Sequence, residues 1–177
     1  MALKKYLPFL LAFVLPLVLV YAWWGGFAPV EISEGEAPAR TYAYQEQKGD
    51  YSKLPDLAVE VRQALVGGGI EPGLPITVLY SNPDLVDVGE RVGRTGYLVA
   101  EGTVVKPPLA VARLPARKVL RARVRAGSLL APSRAYVALD EHQQARGQGI
   151  NMPTVEIYEP SGSPTQMGLL TVEMDLP

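Results

Sequence analysis

The residues of this chain best suited to chemistry lie in two short alternating runs. Thr154-Val155-Glu156-Ile157-Tyr158 carries one carboxylate between two β-branched aliphatics, and Leu120-Arg121-Ala122-Arg123-Val124-Arg125 sets three guanidiniums against three apolar residues. In a strand, successive side chains point to opposite faces. If Leu120, Ala122, Val124, Val155 and Ile157 face packed helices, then Arg121, Arg123, Arg125, Thr154, Glu156 and Tyr158 face the other, open side. A single carboxylate on a concave, partly aromatic surface is costly to bury alone, so Glu156 should either pair with Arg121 or Arg123 or await a cationic ligand. With a suitable pKa and reach it could instead act as a general base in a hydrolase.

Other chemistry is limited by composition. His142 is the only histidine and there is no cysteine, which excludes a multi-histidine metal site, a Ser-His-Asp triad, thiolate ligands and disulfides. Gly67-Gly68-Gly69 lacks the following Lys-Ser/Thr of a phosphate loop and reads as a helix stop. Neither Ser161 nor Ser163 sits in a nucleophile elbow. From Arg113 to Arg125 the chain holds five Arg and one Lys, a solvated strand face or a basic strip that could meet anionic headgroups.

These groups need a scaffold, and the sequence states one twice. Gly49, Val59, Gly69, Pro75 and Tyr80 recur as Gly127, Val137, Gly147, Pro153 and Tyr158, each 78 residues later. Strands are expected at residues 41–47 and 119–125, helices at 52–66 and 131–146, Pro-led strands at 76–80 and 154–158, and closing strands near 91–99 and 168–174. A further short strand is expected at 109–114. The fold class is α+β: two strand-helix-strand-strand repeats in an antiparallel sheet, helices on one face, a central groove on the free face. The repeat matches Glu156 with Val78 and Tyr158 with Tyr80, so the candidate ligand-binding residues are Glu156, Tyr158, Tyr80, Val78, Arg121 and Arg123.

Ahead of the repeats stands an apolar segment. Lys4 and Lys5 precede Leu7 to Trp24, 18 residues without charge. As a helix this covers roughly 27 Å, close to a bilayer core. Tyr21, Trp23 and Trp24 suit the interfacial aromatic belt, and Pro8 and Pro16 are tolerated in such a helix. Residues 1–24 are therefore expected to be a single-pass anchor, with a cleaved signal as the alternative, and residues 25–40 a tether to a domain over 41–177. Two lysines before the segment and Glu31, Glu34 and Glu36 after it put the N-terminus in the cytoplasm and the domain outside it. Without Lys4 and Lys5 the chain has 15 basic and 18 acidic residues, a net charge of −3, and nucleic acid is not an expected partner.

Taken together, "TYAYQEQKGDYSKLPD", "ITVLYSNPD", "LPARKVLRARVRAG", "MPTVEIYEP" and "LLTVEMDLP" resemble the GyrI-like small-molecule-binding domain, here in a membrane-anchored form. The resemblance spans roughly residues 41–177. It implies paired strand-helix-strand-strand units around a groove, and a groove carboxylate meeting cationic aromatic compounds, a role that falls on Glu156. No helix-turn-helix segment accompanies the domain, so the chain is not expected to be a transcription regulator itself. The leading expectation is a non-enzymatic module that binds a small molecule or a protein partner in its groove, without a cofactor or a metal. The alternatives are hydrolysis of electrophilic small molecules by Glu156, and an interaction scaffold whose groove is closed by Arg and Glu pairs.

Overall fold

Alternating runs become strands and apolar residues at helical spacing become helices in both halves of the chain. The computed structural model describes residues 3–163 and 166–176, with the backbone alone for 3–10. In chain order the elements are α1 (Leu3–Trp23), β1 (Glu31–Ala37), β2 (Arg40–Lys48), α2 (Leu54–Gly67), β3 (Pro75–Leu79), β4 (Val92–Leu98), β5 (Ala110–Leu114), β6 (Arg117–Arg125), α3 (Ala131–Gln144), β7 (Thr154–Glu159) and β8 (Leu169–Asp175). The described strands form one antiparallel sheet in the order β1-β6-β8-β7-β3-β4-β2-β5. The units β2-α2-β3-β4 and β6-α3-β7-β8 meet at the β3–β7 pair, about which the order is symmetric.

Each helix covers its own unit. Leu54, Val61 and Leu65 of α2 are buried, and Val61 and Leu65 share a cluster with Ala43 of β2. Ala131, Ala135 and Leu139 of α3 pack on Leu120, Ala122 and Val124 of β6 and on Leu170, Val172 and Met174 of β8. The expected helix-facing side of β6 is the observed one. Each helix has a proline in its first turn and a glycine with positive φ soon after its end, Gly69 and Gly147.

Three expectations are corrected. The sheet face away from the helices is not free. Links of two residues, 38–39 and 115–116, join β1 to β2 and β5 to β6, strands from opposite ends of the sheet order. The sheet must therefore curl, and its second face encloses Tyr42, Ile76, Val78, Val155 and Ile157. Residues 25–40 are not simply a tether, because β1 pairs along its length with β6. Its Glu and Gly content suggests solvated chain, yet Glu31 lies opposite Arg123 and Glu36 opposite Lys118, complementary cross-strand charges on the sheet edge.

The third correction is one of parity. The spacing is 77 residues, not 78, between the starts of β2 and β6, of α2 and α3, and of β4 and β8. Across the central pair, Val78 lies opposite Val155 and Thr77 opposite Glu156. A shift of one residue exchanges the faces of a strand. Val78 and Glu156 thus point to opposite sides of the sheet.

Among the described residues, no helix is long and apolar enough to cross a membrane. The side chains of Lys4, Lys5 and Pro8 lie outside the described residues. From Leu11 onward the apolar side chains of α1 stand exposed, Phe13 at 78% and Leu17 at 70%. The end of α1 is fixed to the domain: the Trp24 carbonyl accepts the Gly127 N–H at 2.8 Å, and Gly25 (φ 82°) turns the chain where any Cβ would strike the Arg125 carbonyl and Ala126.

The curl of the sheet is held by one acidic residue. Glu173 of β8, 1% exposed, accepts both Nη atoms of Arg40 at 2.7 and 3.0 Å and Nη2 of Arg117 at 3.0 Å, with Nε of Arg121 at 3.5 Å. Arg117 also donates to Asp175 at 2.5 Å. Removing one partner of a buried ion cluster strands the rest, a cost of about 3–5 kcal/mol. Glu173→Ala should lower urea-unfolding stability by about that amount, whereas Glu46→Ala, which breaks the more exposed Arg94 pair, should cost under about 1 kcal/mol.

Candidate functional site

Register decides which carboxylate reaches the helices. In the β7–β8 pair, Thr154, Glu156 and Tyr158 lie opposite Met174, Val172 and Leu170, residues already packed under α3. Directly opposed residues share a face, so Glu156 points to the helix side and not to the open side expected from alternation alone. The error has a plain cause. Val155 and Ile157 are as apolar as a helix-facing pair should be, but here they fill the second core on the inside of the curl.

The first turns of α2 and α3 stand on either side of the central strands and leave a cleft of about 430 Å³ between them. Its floor is Thr77, Leu79, Glu156 and Tyr158, with Thr95 and Leu170 beside them. Pro55 and Ala58 of α2 and Ala131 and Pro132 of α3 form low walls, and Tyr51 and Tyr136 form taller ones. These helix positions carry short or rigid side chains, so the space between the helices is not filled from their own surfaces.

The aromatic groups are held in place. The Tyr51 hydroxyl donates to the Val92 carbonyl at 2.7 Å and takes the Ser81 N–H at 3.3 Å. The Tyr136 hydroxyl lies 2.7 Å from Thr154 Oγ1 and stands close enough to Glu156 to act on its ionisation. Tyr158 lies against the backbone at Gly168, where a Cβ would collide with its hydroxyl and ring. Thr77 and Thr95 satisfy each other across β3 and β4 at 3.1 Å.

Glu156 is the one acidic residue among those lining the cleft, and none of them is Lys or Arg. None of the ion pairs among the described residues involves it. Burial pushes its carboxyl up to about 7, against a downward pull from the Tyr136 hydroxyl. Burial and the neighbouring Glu156 charge hold the Tyr136 phenol well above its ordinary value. The arrangement is a carboxylate near its point of ionisation in an aromatic, largely apolar recess, suited to receiving a positive charge.

The residues expected to form one site are divided by the sheet. Glu156 and Tyr158 line the cleft. Val78 is buried in the core of the opposite face. Tyr80 is also on that face, its ring 4.9 Å from the Arg94 guanidinium, which has Tyr44 at 4.6 Å and lies 2.9 Å from the Tyr80 hydroxyl. Arg121 is engaged by Glu173 and the Glu36 carbonyl, and Arg123 is exposed opposite Glu31, so the expected pairing of Glu156 with either arginine is absent. Tyr51, Tyr136, Thr77 and Thr95 were not among the expected site residues. The signal for Tyr136 is its place one turn after Pro132, on the α3 face that meets β7.

Among the described residues no group of His, Cys, Asp and Glu could hold a metal ion. His142 lies on α3, where its carbonyl accepts Nη1 of Arg146 at 3.1 Å, and it is not a lining residue of the cleft.

No family model matches the sequence, and no curated protein matches it. Solved structures do share the α+β fold of this chain. The C-terminal domain of EcmrR matches with a TM-score of 0.66 and 13% identity over 84% of this chain and 98% of that one. EcmrR within a DNA-bound transcription complex matches at 0.63 and 12% identity; 82% of this chain is covered, but only 57% of that chain. SAV2435, solved bound to tetraphenylphosphonium, matches at 0.59 and 10% identity over 83% of this chain and 94% of that one. At these identities the likeness is one of fold.

The raised carboxyl has a consequence for stability. Folded Glu156 keeps its proton up to about pH 7, while the unfolded chain loses it near the ordinary value of 4.5. The folded state therefore binds the extra proton in between, and stability falls as pH rises through that window. Thermal melts should show the wild type losing ground to Glu156→Gln between pH 5 and pH 8. A constant difference across that range would mean that Glu156 is not buried in its charged form.

Proposed function

We propose that this chain is a non-enzymatic GyrI-like binding module that takes an organic cation with an apolar or aromatic body into the cleft between α2 and α3. Glu156 supplies the counter-charge, Tyr51, Tyr136 and Tyr158 supply aromatic surface, and Thr77 and Thr95 close the polar edge of the floor. The observation that carries the reading is the contrast between two carboxylates on paired strands. Glu173 is neutralised by three arginines, and Glu156 has only a phenol. A ligand cation over aromatic faces gains cation–π attraction and an ion pair in a recess where water competes poorly. Tetraphenylphosphonium, the ligand of SAV2435, has the required charge and bulk.

The reading includes the N-terminal helix. Although no helix is long and apolar enough to span among the described residues, which leave out the side chains of 3–10, we take the apolar segment up to Trp24 as a single-pass membrane anchor, supported by the exposed apolar side chains from Leu11 to Trp24 and by the aromatic residues at its end. The lysines before it and the glutamates after it favour a domain outside the cytoplasm. Carbonate washing of membranes should leave the full chain in the pellet, and protease added to spheroplasts should digest the domain. A chain released by carbonate, or a domain protected until the cells are lysed, would overturn the anchor or the orientation respectively.

Binding is tested with tetraphenylphosphonium and the full chain in a non-ionic detergent, followed by calorimetry. A cation favours ionised Glu156, so affinity should rise with pH up to about 7 and then level off, by up to about tenfold per pH unit below that point. Glu156→Gln should weaken binding at pH 8 by at least about tenfold and remove the pH dependence. Equal affinity in wild type and variant at both ends of the range would refute the role given to Glu156.

A further inference from the structure

A second recess adjoins the first. It encloses about 410 Å³ on the other side of Leu79 and Tyr136, which line both spaces. Its remaining walls are mainly apolar, with Val137, Ile150 and Met152 among them, and no Lys or Arg lines it. Two carboxylates do: Asp84, in the turn after β3, and Asp140 of α3. Asp140 accepts Nε2 of Gln144 at 2.6 Å. Asp84 uses its backbone N–H to close the turn on Asn82 Oδ1 at 2.9 Å, and its side chain is exposed.

Glu156 lies in the first recess beside Tyr136, Leu79 and Tyr136 line both recesses, and Asp84 and Asp140 lie in the second. We propose that the double cleft receives an elongated organic dication, one positive end at Glu156, the apolar linker across Tyr136 and Leu79, and the second positive end at Asp84 and Asp140. This rests on the reading of Glu156 as the cation's counter-charge and names the ligand class more closely. Charge complementarity argues for that occupant: the two linings hold three carboxylates and no Lys or Arg, so the negative end of an anionic or zwitterionic ligand would meet repulsion in either recess. A monocation leaves one recess without its counter-charge. A dication of fitting length turns the second contact into an intramolecular one, with a gain in affinity that depends on linker length.

The test uses alkane chains of increasing length bearing trimethylammonium at both ends, and matched chains bearing it at one end, titrated by calorimetry into the full chain in a non-ionic detergent. At one linker length the dication should bind at least about tenfold tighter than its matched monocation. Asp84→Asn combined with Asp140→Asn should abolish that gain and leave monocation affinity and the melting temperature unchanged. These substitutions keep the Asp84 backbone contact and an acceptor for Gln144. Dications no tighter than monocations at every length, or a gain that survives in the double variant, would overturn the proposal while leaving the Glu156 site standing. If neither series binds in a Glu156-dependent way, the first site fails and the second fails with it.

Discussion

Glu173 sets the terms for the rest of this molecule. A carboxylate with 1% exposure on the inner side of a curled sheet cannot remain charged without close partners, and the partners come from β2 and β6, which lie far apart in the strand order. Arg40 and Arg117 begin equivalent strands of the two units and converge on one carboxylate, Arg40 on both oxygens and Arg117 on Oε2. The cluster therefore draws the two ends of the sheet toward each other. It also engages Arg121, and the arginines of β6 alternate with Leu120, Ala122 and Val124, so that none of them faces the helix side. Glu156 is left unneutralised in its cleft because the arginines of β6 stand on the other face of the sheet.

The scaffold is nearly symmetric and the site is not. Each unit gives a helix opened by proline to one side of the cleft, and the central strands give Thr77 and Glu156 as directly opposed residues. Tyr51, before α2, is matched at the 77-residue spacing by Ser128 before α3, so each half supplies something the other lacks. A symmetric pair of carboxylates would repel across the floor, and a symmetric pair of threonines would carry no charge. One of each gives a single ionisable group close to neutral pH, held by Tyr136 and free of any ion pair among the described residues.

Much of this order was readable from residue types. Apolar spacing located α2 and α3, and Pro, Gly and alternation located β2 to β8, because each of these signals is local. What failed was parity and closure. Val155 and Ile157 suit either face of a strand when both faces carry a core, and only their partners Glu173 and Thr171 on β8 decide between them. β1 was missed because Glu31, Ser33, Gly35 and Glu36 have little strand preference of their own and are held by pairing with β6. Glu156 is legible as a lone carboxylate, and a charge within Leu169-Leu170-Thr171-Val172-Glu173-Met174 is likewise a sign of a buried ion cluster, whose partners Arg40 and Arg117 are too distant in sequence for local pattern to name.

The account turns on the ionisation of one side chain, and that can be observed directly. Carboxyl carbon shifts of Glu156, assigned by comparison with Glu156→Gln and followed by NMR through a pH titration, should report a pKa of about 7 in the free protein. Saturating tetraphenylphosphonium should move it down toward the ordinary carboxylate range. A Glu156 that titrates near 4.5 in the free protein, or whose pKa is the same with and without the cation, would contradict the central claim.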